Sequence, residues 1–416
     1  MSTVRVKGKS RLHGSVRIQG CKNAVLPIIA ASLLNGGLNV IHNCPHLADV
    51  YSSVKILKEL GASVCFEGDT LVINSSSINC RRISPELMGA LRSSVVFLGP
   101  MLSRCSRAAI SMPGGCDIGM RPIDIHLDSF RKMGVDIETY GSDVVCKVNN
   151  LLGKNIVLPF PSVGATENIM LLAAKGRGVT TIYNAAREPE IVDLQNFLNS
   201  MGARVYGAGT GVITVYAVSR LSDSEYTVMP DRIEAATFLC ATAIAGGDVY
   251  LDGVNPEHIR SVINILAKGG VKFAEYTNSL FAVSTSRVNC PSYVSTRPYP
   301  GFPTDVQSLI MSVMSCSQGD GIIVENIFEN RFGHALELAK MGAHIDLMGR
   351  YAHVHGTSLS GCEVTAGDLR SGAALAVAAL GAEGESTVNR AEYIDRGYDN
   401  FEQKLRSLGA DIERVN

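Results

Sequence analysis

Six short stretches of this chain set a charged or hydroxyl-bearing residue just ahead of a long apolar run. In order they are Gly20-Cys21-Lys22-Asn23, Leu91-Arg92-Ser93-Ser94, Ser162-Val163-Gly164-Ala165-Thr166, Pro230-Asp231-Arg232, Pro303-Thr304-Asp305 and Asp368-Leu369-Arg370. The same place therefore offers Lys22, Arg92, Thr166, Arg232, Asp305 and Arg370. If the apolar runs are helices, these residues sit at N-termini, where unpaired N–H groups and the helix dipole favour anions. Ser, Thr and Asp at such places often do no more than cap, and Thr304-Asp305-Val306-Gln307 has the form of a capping box. Lys and Arg are poor caps and oppose the dipole. Their recurrence at four of the six starts points to an anionic ligand.

A second feature is the stretch Pro113-Gly114-Gly115-Cys116-Asp117-Ile118-Gly119-Met120-Arg121-Pro122. Its three glycines permit large backbone rearrangement, and Pro122 suits the first turn of a following helix. A thiol beside Asp117 and Arg121 on such a loop reads either as a lid carrying a reactive cysteine or as a surface loop with an incidental one.

The elements that must hold these residues repeat. A helix-like stretch ending at a glycine and followed by a strand recurs six times, the glycines being 61, 134, 202, 269, 342 and 409, and after the first five of them a turn and a second strand follow. Each glycine is expected to take the left-handed conformation that ends a helix. An apolar helix opens each repeat, at Lys22 to Leu34, Arg92 to Leu102, Thr166 to Ala174, Arg232 to Ala245, Asp305 to Cys316 and Arg370 to Leu380. Being apolar on nearly every face, these helices should be buried. The expected fold is α/β, a two-lobed inside-out barrel of six repeats with sheets and surface helices outside. The sixth repeat has only Asp411 to Val415 left for its hairpin, so the N-terminal strand Val4 to Val6 is its expected partner. The expected lobes are 20–229, with the Cys116 loop, and 1–19 plus 230–416, with the active site in the cleft between.

Composition excludes several classes. Lys plus Arg (38) balance Asp plus Glu (39), which speaks against a nucleic-acid binder, and no apolar stretch has the roughly 18 residues a membrane span needs. The N-terminus lacks a signal-peptide core, and eleven scattered cysteines with no C-x-x-C argue for a reducing cytoplasm without disulfides or zinc. Gly207-Ala208-Gly209-Thr210-Gly211 precedes a strand, so it is a hairpin turn and not a dinucleotide fingerprint. His353-x-His355 puts two imidazoles on one strand face, but no third metal ligand is evident.

Several longer motifs carry a resemblance. They are Gly20-Cys21-Lys22-Asn23, Pro113-Gly114-Gly115-Cys116-x-Ile118-Gly119-x-Arg121-Pro122-x-Asp124, Pro161-Ser162-Val163-Gly164-Ala165-Thr166-Glu167-Asn168 and Ala186-Arg187-Glu188-Pro189-Glu190. Gly301-Phe302-Pro303-Thr304-Asp305, Phe328-Glu329-Asn330-Arg331, Asp368-Leu369-Arg370 and Asp395-Arg396-Gly397-Tyr398 continue the series. Through essentially its whole length the chain resembles the UDP-N-acetylglucosamine 1-carboxyvinyltransferases, enolpyruvyl transferases of bacterial peptidoglycan synthesis. Their fold is the two-lobed inside-out barrel.

The resemblance implies transfer of enolpyruvate from phosphoenolpyruvate to the 3′-hydroxyl of UDP-N-acetylglucosamine, with release of phosphate and no cofactor or metal. It makes Cys116 the general acid and the site of a covalent phospholactoyl adduct, and Asp305 the base near the sugar hydroxyl. With them it places Lys22 and Arg396 in the catalytic set. Lys22, Asn23, Arg121, Arg331, Asp368, Arg370 and Arg396 would hold phosphoenolpyruvate. Asn23, Arg92, Arg121, Asp124, Ser162, Val163, Gly164, Asp305 and Ile327 would hold the nucleotide sugar. Arg232 falls outside the set and reads as structural. Inactivation by fosfomycin is implied through Cys116. The implied partners are these small molecules, without nucleic acid or membrane, in a cytoplasmic monomer or weak homo-oligomer.

The chain departs from the pattern at Val96, where some members have Trp, at Phe160, where some have Lys, and at Asp117, where Ala is common. The last should raise the thiol pKa somewhat. Two other readings compete: the related 3-phosphoshikimate 1-carboxyvinyltransferase, which lacks the cysteine loop, and a non-catalytic paralogue that binds the nucleotide sugar.

Overall fold

A computed structural model of the chain describes residues 2–78, 82–111, 123–285 and 287–415. The fold is mixed α/β. The described residues fall into two compact units, one made by those up to Gln19 and from Pro230 onward, the other by those from Gly20 to Met229.

Each unit holds three sheets and three buried helices. In the unit starting at Pro230 the helices are Arg232–Ala245, Gln307–Ser315 and Leu369–Ala379, and every one of their residues is buried. Their sequences are rich in Ala, Ser and Gly, so the backbones can approach closely. Ser308 and Ser312 donate from one helix to the carbonyls of Arg370 and Ala374 on the next, at 3.1 and 2.9 Å. Polar groups are thereby satisfied where no water reaches. The other unit repeats the plan with Lys22–Ala31, Leu98–Cys105 and Val163–Ala173.

Five of the six sheets among the described residues share one four-strand order, and the sixth, of Arg107–Ser111, Asp143–Val148 and Val135–Tyr140, has three antiparallel strands. Strands Asn155–Val157, Val179–Tyr183, Val212–Tyr216 and Arg204–Tyr206 lie side by side, the first pair parallel and the rest antiparallel. Burial alternates along Val212–Tyr216, as expected for a sheet with one face on the core and one outside. The N-terminal strand Thr3–Lys7 does pair antiparallel with Asp411–Val415, bringing Val4 opposite Arg414 and Val6 opposite Ile412. Two edge strands join sheets far away in sequence. Leu12–Arg17 runs parallel to Gly247–Asp252, and Ser224–Thr227 runs parallel to Leu38–His42. Those two pairings put the residues up to Gln19 with the later unit, and keep 224–229 with the earlier one.

The helix-ending glycines behave as expected at 61, 134, 202, 342 and 409, with φ between 90° and 97°. In the fourth repeat the left-handed residue is Gly270 (φ 106°), one place beyond the expected Gly269, which closes the helix in the right-handed region. No helix among the described residues is long and apolar enough to cross a membrane.

One buried acid gives the fold a testable pH dependence. The Glu234 carboxylate accepts from Lys404 Nζ and from the Gln19 backbone N–H, both at 2.7 Å. Burial pushes its pKa up to about 7, with a small push from Asp231, against the opposing pull of Lys404 and Gln19. The native state therefore holds a proton that the unfolded chain releases near 4.5. This group's contribution to stability is complete below the unfolded value and is lost as pH rises through about 7. We expect the Tm difference between Glu234→Gln and wild type to move in the variant's favour from about pH 5 to about pH 8. Parallel Tm curves over that range would remove Glu234 from the account.

Candidate active site

The Asp305 carboxylate lies at the start of the Gln307–Ser315 helix, in a single turn of 3-10 helix, Thr304–Val306. The Thr304–Gln307 capping box does not form, because the Gln307 side chain finds no hydrogen-bond partner and the Thr304 hydroxyl donates to Glu325 instead. The two Asp305 oxygens accept from two guanidiniums, Arg331 Nη2 at 3.1 Å and Arg370 Nη2 at 3.0 Å. Charge-assisted bonds to two cations outcompete a neutral cap. The Arg331 and Arg370 side chains are 4% and 6% exposed, while Asp305 keeps 26% of its surface open. The trio thus offers solvent an acid backed by two buried positive charges.

Arg370 is held on its other side as well. Its Nη1 donates to the Tyr398 hydroxyl at 3.3 Å, and that hydroxyl lies 2.8 Å from Thr237 Oγ1. Thr237 in turn donates to the Ile233 carbonyl, which leaves Tyr398 to donate to Thr237. Burial works against the Arg370 charge, but Asp305, Tyr398 and Asp231 together more than offset it and raise its pKa. A permanently charged guanidinium, fixed at two points, suits an anion site.

Arg370 owes its place to the cap beneath it. Asp368 accepts from the N–H groups of Arg370 and Ser371 at 2.8 and 3.1 Å, and Ser371 reciprocates onto Asp368 N in a complete capping box. Arg396 ends the 3-10 turn Ala391–Arg396. A Cβ on the next residue, Gly397, would come within 2.7 Å of Leu369 Cδ2, so that a larger residue there would have to displace the Leu369 side chain. Gln19 steadies this corner by donating to the Gly397 carbonyl at 3.0 Å and accepting from Asp399 N at 2.7 Å. Ile327 is half-buried, and its N–H donates to Glu325 Oε1 at 2.8 Å. The same buried carboxylate takes Thr296 and Thr304 hydroxyls, at 2.9 and 3.0 Å, and so ties the Ile327 turn to the residue before Asp305. Nothing in the sequence singled out Glu325.

In the other unit, Lys22 opens its helix and pairs with Asp49 at 2.8 Å, both side chains being largely buried. Gly20 allows this turn, because a Cβ would meet the Asn43 carbonyl oxygen at 1.7 Å. Asn23 is half-buried beside it. Ser162 caps the helix Val163–Ala173 by accepting from Ala165 N at 3.3 Å. The helix therefore begins three residues before Thr166, whose hydroxyl bonds the Ser162 carbonyl and receives Ala186 N rather than lying at the start. Ser162, Val163 and Gly164 form that helix's half-buried entry, and Asp124 opens Asp124–Lys132, exposed. His126, two residues on, is pushed down to about 4 by burial despite Asp124, and bonds Asn168 at 3.0 Å. Burial first, then Glu190 and Glu188, raises the Glu167 pKa well above the usual carboxylate range.

Arg232 is buried with its guanidinium 5.7 Å from the Tyr299 ring centre. Arg92 begins the 3-10 stretch Arg92–Phe97. Cys116, Asp117 and Arg121 lie outside the described residues. The structure thus joins Asp305, Arg331 and Arg370 directly in one unit and sets Lys22 beside Asn23 in the other.

This architecture is that of the enolpyruvyl transferases. The structure of the enolpyruvyl transferase NikO from Streptomyces tendae matches all of this chain and 99% of its own length, with a TM-score of 0.89 at 23% identity. EPSP synthase from Acinetobacter baumannii matches over 100% of both chains with a TM-score of 0.75 at 18% identity. The family model for EPSP synthase (3-phosphoshikimate 1-carboxyvinyltransferase) matches residues 6–405. Among curated relatives, UDP-N-acetylglucosamine 1-carboxyvinyltransferase 2 of Caldanaerobacter subterraneus subsp. tengcongensis is 46% identical over 100% of both chains. UDP-N-acetylglucosamine 1-carboxyvinyltransferase 1 of Symbiobacterium thermophilum is 49% identical over 99% of this chain and 94% of its own. The chain belongs to the EPSP synthase family of enolpyruvyl transferases and, within it, to the UDP-N-acetylglucosamine 1-carboxyvinyltransferases.

Proposed function

We infer that this chain transfers enolpyruvate from phosphoenolpyruvate to the 3′-hydroxyl of UDP-N-acetylglucosamine and releases phosphate, the first committed step of peptidoglycan synthesis in the cytoplasm. Among its own residues, the Asp305 carboxylate lodged between Arg331 and Arg370 carries the reading. The acceptor sugar needs a base, the donor phosphate and carboxylate need cations, and both stand there together. The full-length identity to the curated relatives favours UDP-N-acetylglucosamine over 3-phosphoshikimate as acceptor. The retained acid and cations speak against a non-catalytic paralogue.

In the proposed reaction the 3′-oxygen adds to C2 of phosphoenolpyruvate and gives its proton to Asp305. Cys116 delivers the proton that C3 takes up. In a separate adduct, formed without the sugar, its sulfur adds to C2 in place of the 3′-oxygen while C3 takes the thiol proton, giving the phospholactoyl thioether. Elimination from the ketal then returns a proton from C3 and expels phosphate, leaving the enol ether. Lys22, Asn23, Arg121, Arg331, Arg370 and Arg396 hold the donor, with Asp368 fixing Arg370 through its cap. Asn23, Arg92, Arg121, Asp124, Ser162, Val163, Gly164 and Ile327 hold the nucleotide sugar with Asp305. The three buried helices and three sheets of each unit support its reading as one lobe of an inside-out barrel.

The test is phosphate release from phosphoenolpyruvate with UDP-N-acetylglucosamine or 3-phosphoshikimate as acceptor, before and after fosfomycin. Release is expected only with the nucleotide sugar, and fosfomycin should abolish it while adding its mass at Cys116. Release with 3-phosphoshikimate alone would overturn the acceptor, and full activity in excess fosfomycin would overturn the role of Cys116.

A further inference from the structure

The sheet formed by Tyr293–Ser295, Asp320–Val324, Tyr351–His355 and His344–Met348 turns its Ala352 and Val354 side chains into the core. Strand alternation therefore sends His353 and His355 to the outer face. Register decides their neighbours. His355 stands opposite both Asp320 and His344, and His353 stands opposite Asp346. Three imidazoles and two carboxylates thus share two adjacent rows across three strands. The His344 and His355 rings stack with centres 4.3 Å apart, and His353 and His355 lie 4.2 Å apart. The sequence shows only His353-x-His355, so the third ligand comes from pairing that the sequence does not display.

We propose that this outer sheet face binds a divalent transition-metal ion of the zinc class, with His355 as the obligatory ligand. Two triads share that residue: Asp320, His353 and His355, and His344, Asp346 and His355, the ligand atoms within each lying within 4.8 Å of one another. Tetrahedral zinc, with bonds of about 2.0–2.1 Å, needs ligand atoms about 3.3–3.4 Å apart. His355 Nδ1 is 3.3 Å from Asp320 Oδ1, and its Nε2 is 3.2 Å from Asp346 Oδ2. Small side-chain rotations bring in the third ligand, and a water completes the shell. Imidazole with carboxylate suits zinc, cobalt, nickel and copper ions rather than magnesium or calcium. Because the ligands come from three paired strands, the ion binds the folded chain and staples that sheet. No residue of the candidate active site takes part.

The experiment titrates Zn²⁺ into the full chain and into His355→Ala, which keeps all eleven cysteines as an internal control for thiol-bound metal. Wild type is expected to take up one more equivalent than the variant, or to bind it more than about tenfold more tightly. Zn²⁺ should also raise the Tm of wild type more than that of His355→Ala, with enolpyruvyl transfer unchanged in the metal-free variant. A double variant, His344→Ala with His353→Ala, removes one ligand from each triad and replaces His355→Ala if that chain does not fold. Equal uptake and equal Tm shifts in wild type and variant would overturn the site and leave His355 as an ion-pair partner of the two aspartates.

Discussion

Asp305→Asn is expected to lower kcat by about 10²- to 10⁴-fold, the usual worth of a positioned general base, without raising the KM for phosphoenolpyruvate. The argument runs through the two bonds the carboxylate makes. Asp305 is the counter-ion of Arg331 and Arg370, both almost wholly buried. An incoming phosphate or carboxylate competes with it for those guanidiniums. Asparagine keeps the shape and one acceptor oxygen but removes the negative charge, so the pair of arginines is left with an unmet demand for an anion. Inorganic phosphate should therefore raise the Tm of Asp305→Asn more than that of wild type, while turnover collapses. Undiminished kcat would take Asp305 out of the chemistry. A fall confined to kcat/KM through a higher KM would make it a binding residue and return the base to another group.

How far the sequence foretold this arrangement depends on the range of each interaction. The glycines at 61, 134, 202, 342 and 409 are local signals, since a helix end needs a left-handed residue whatever the tertiary setting. Gly269 misled by one place because a second glycine follows it, and either could close the turn. The partner of Asp411–Val415 was legible because the repeat leaves one strand missing and Val4 to Val6 is the spare. The edge strands Leu12–Arg17 and Ser224–Thr227 were not legible. A parallel edge pairing across hundreds of residues leaves no mark in local composition.

The site divides in the same way. Lys22, Asp305 and Arg370 stand out as candidates through their position at helix starts, which is a repeating local feature. Their pairings are not legible in that way, and Arg331 and Tyr398 enter the sequence reading only through the family resemblance. Asp49 faces Lys22, Arg331 faces Asp305, and Tyr398 with Thr237 faces Arg370 through contacts between separate segments. The capping-box form around Thr304 was a true local pattern that lost to a stronger distant one. At Asp368, by contrast, Ser371 completes a box that the Glu/Gln rule does not list. Glu325 escaped because an isolated glutamate at a strand end looks like any solvated acid. Only the fold shows it accepting from both Thr296 and Thr304.

Arg370→Lys should cost about 10²- to 10³-fold in kcat/KM for phosphoenolpyruvate although the charge is conserved. The guanidinium reaches Asp305 with one nitrogen and Tyr398 with another, at 3.0 and 3.3 Å. A lysine ammonium is a point charge on a flexible stem, so it can serve one of these partners in good geometry but loses the planar fork that fixes both. Either the Tyr398 hydroxyl then loses this donor or Asp305 loses this partner. Arg232→Lys supplies the matched comparison, because Arg232 also begins a buried helix but lies against the Tyr299 ring. If any cation at a helix start served the substrate, the two variants would fall together. The geometry requires a deep loss at 370 and near-wild-type kcat/KM at 232, and equal losses would show that the helix starts act as a pooled positive field rather than through Arg370 itself.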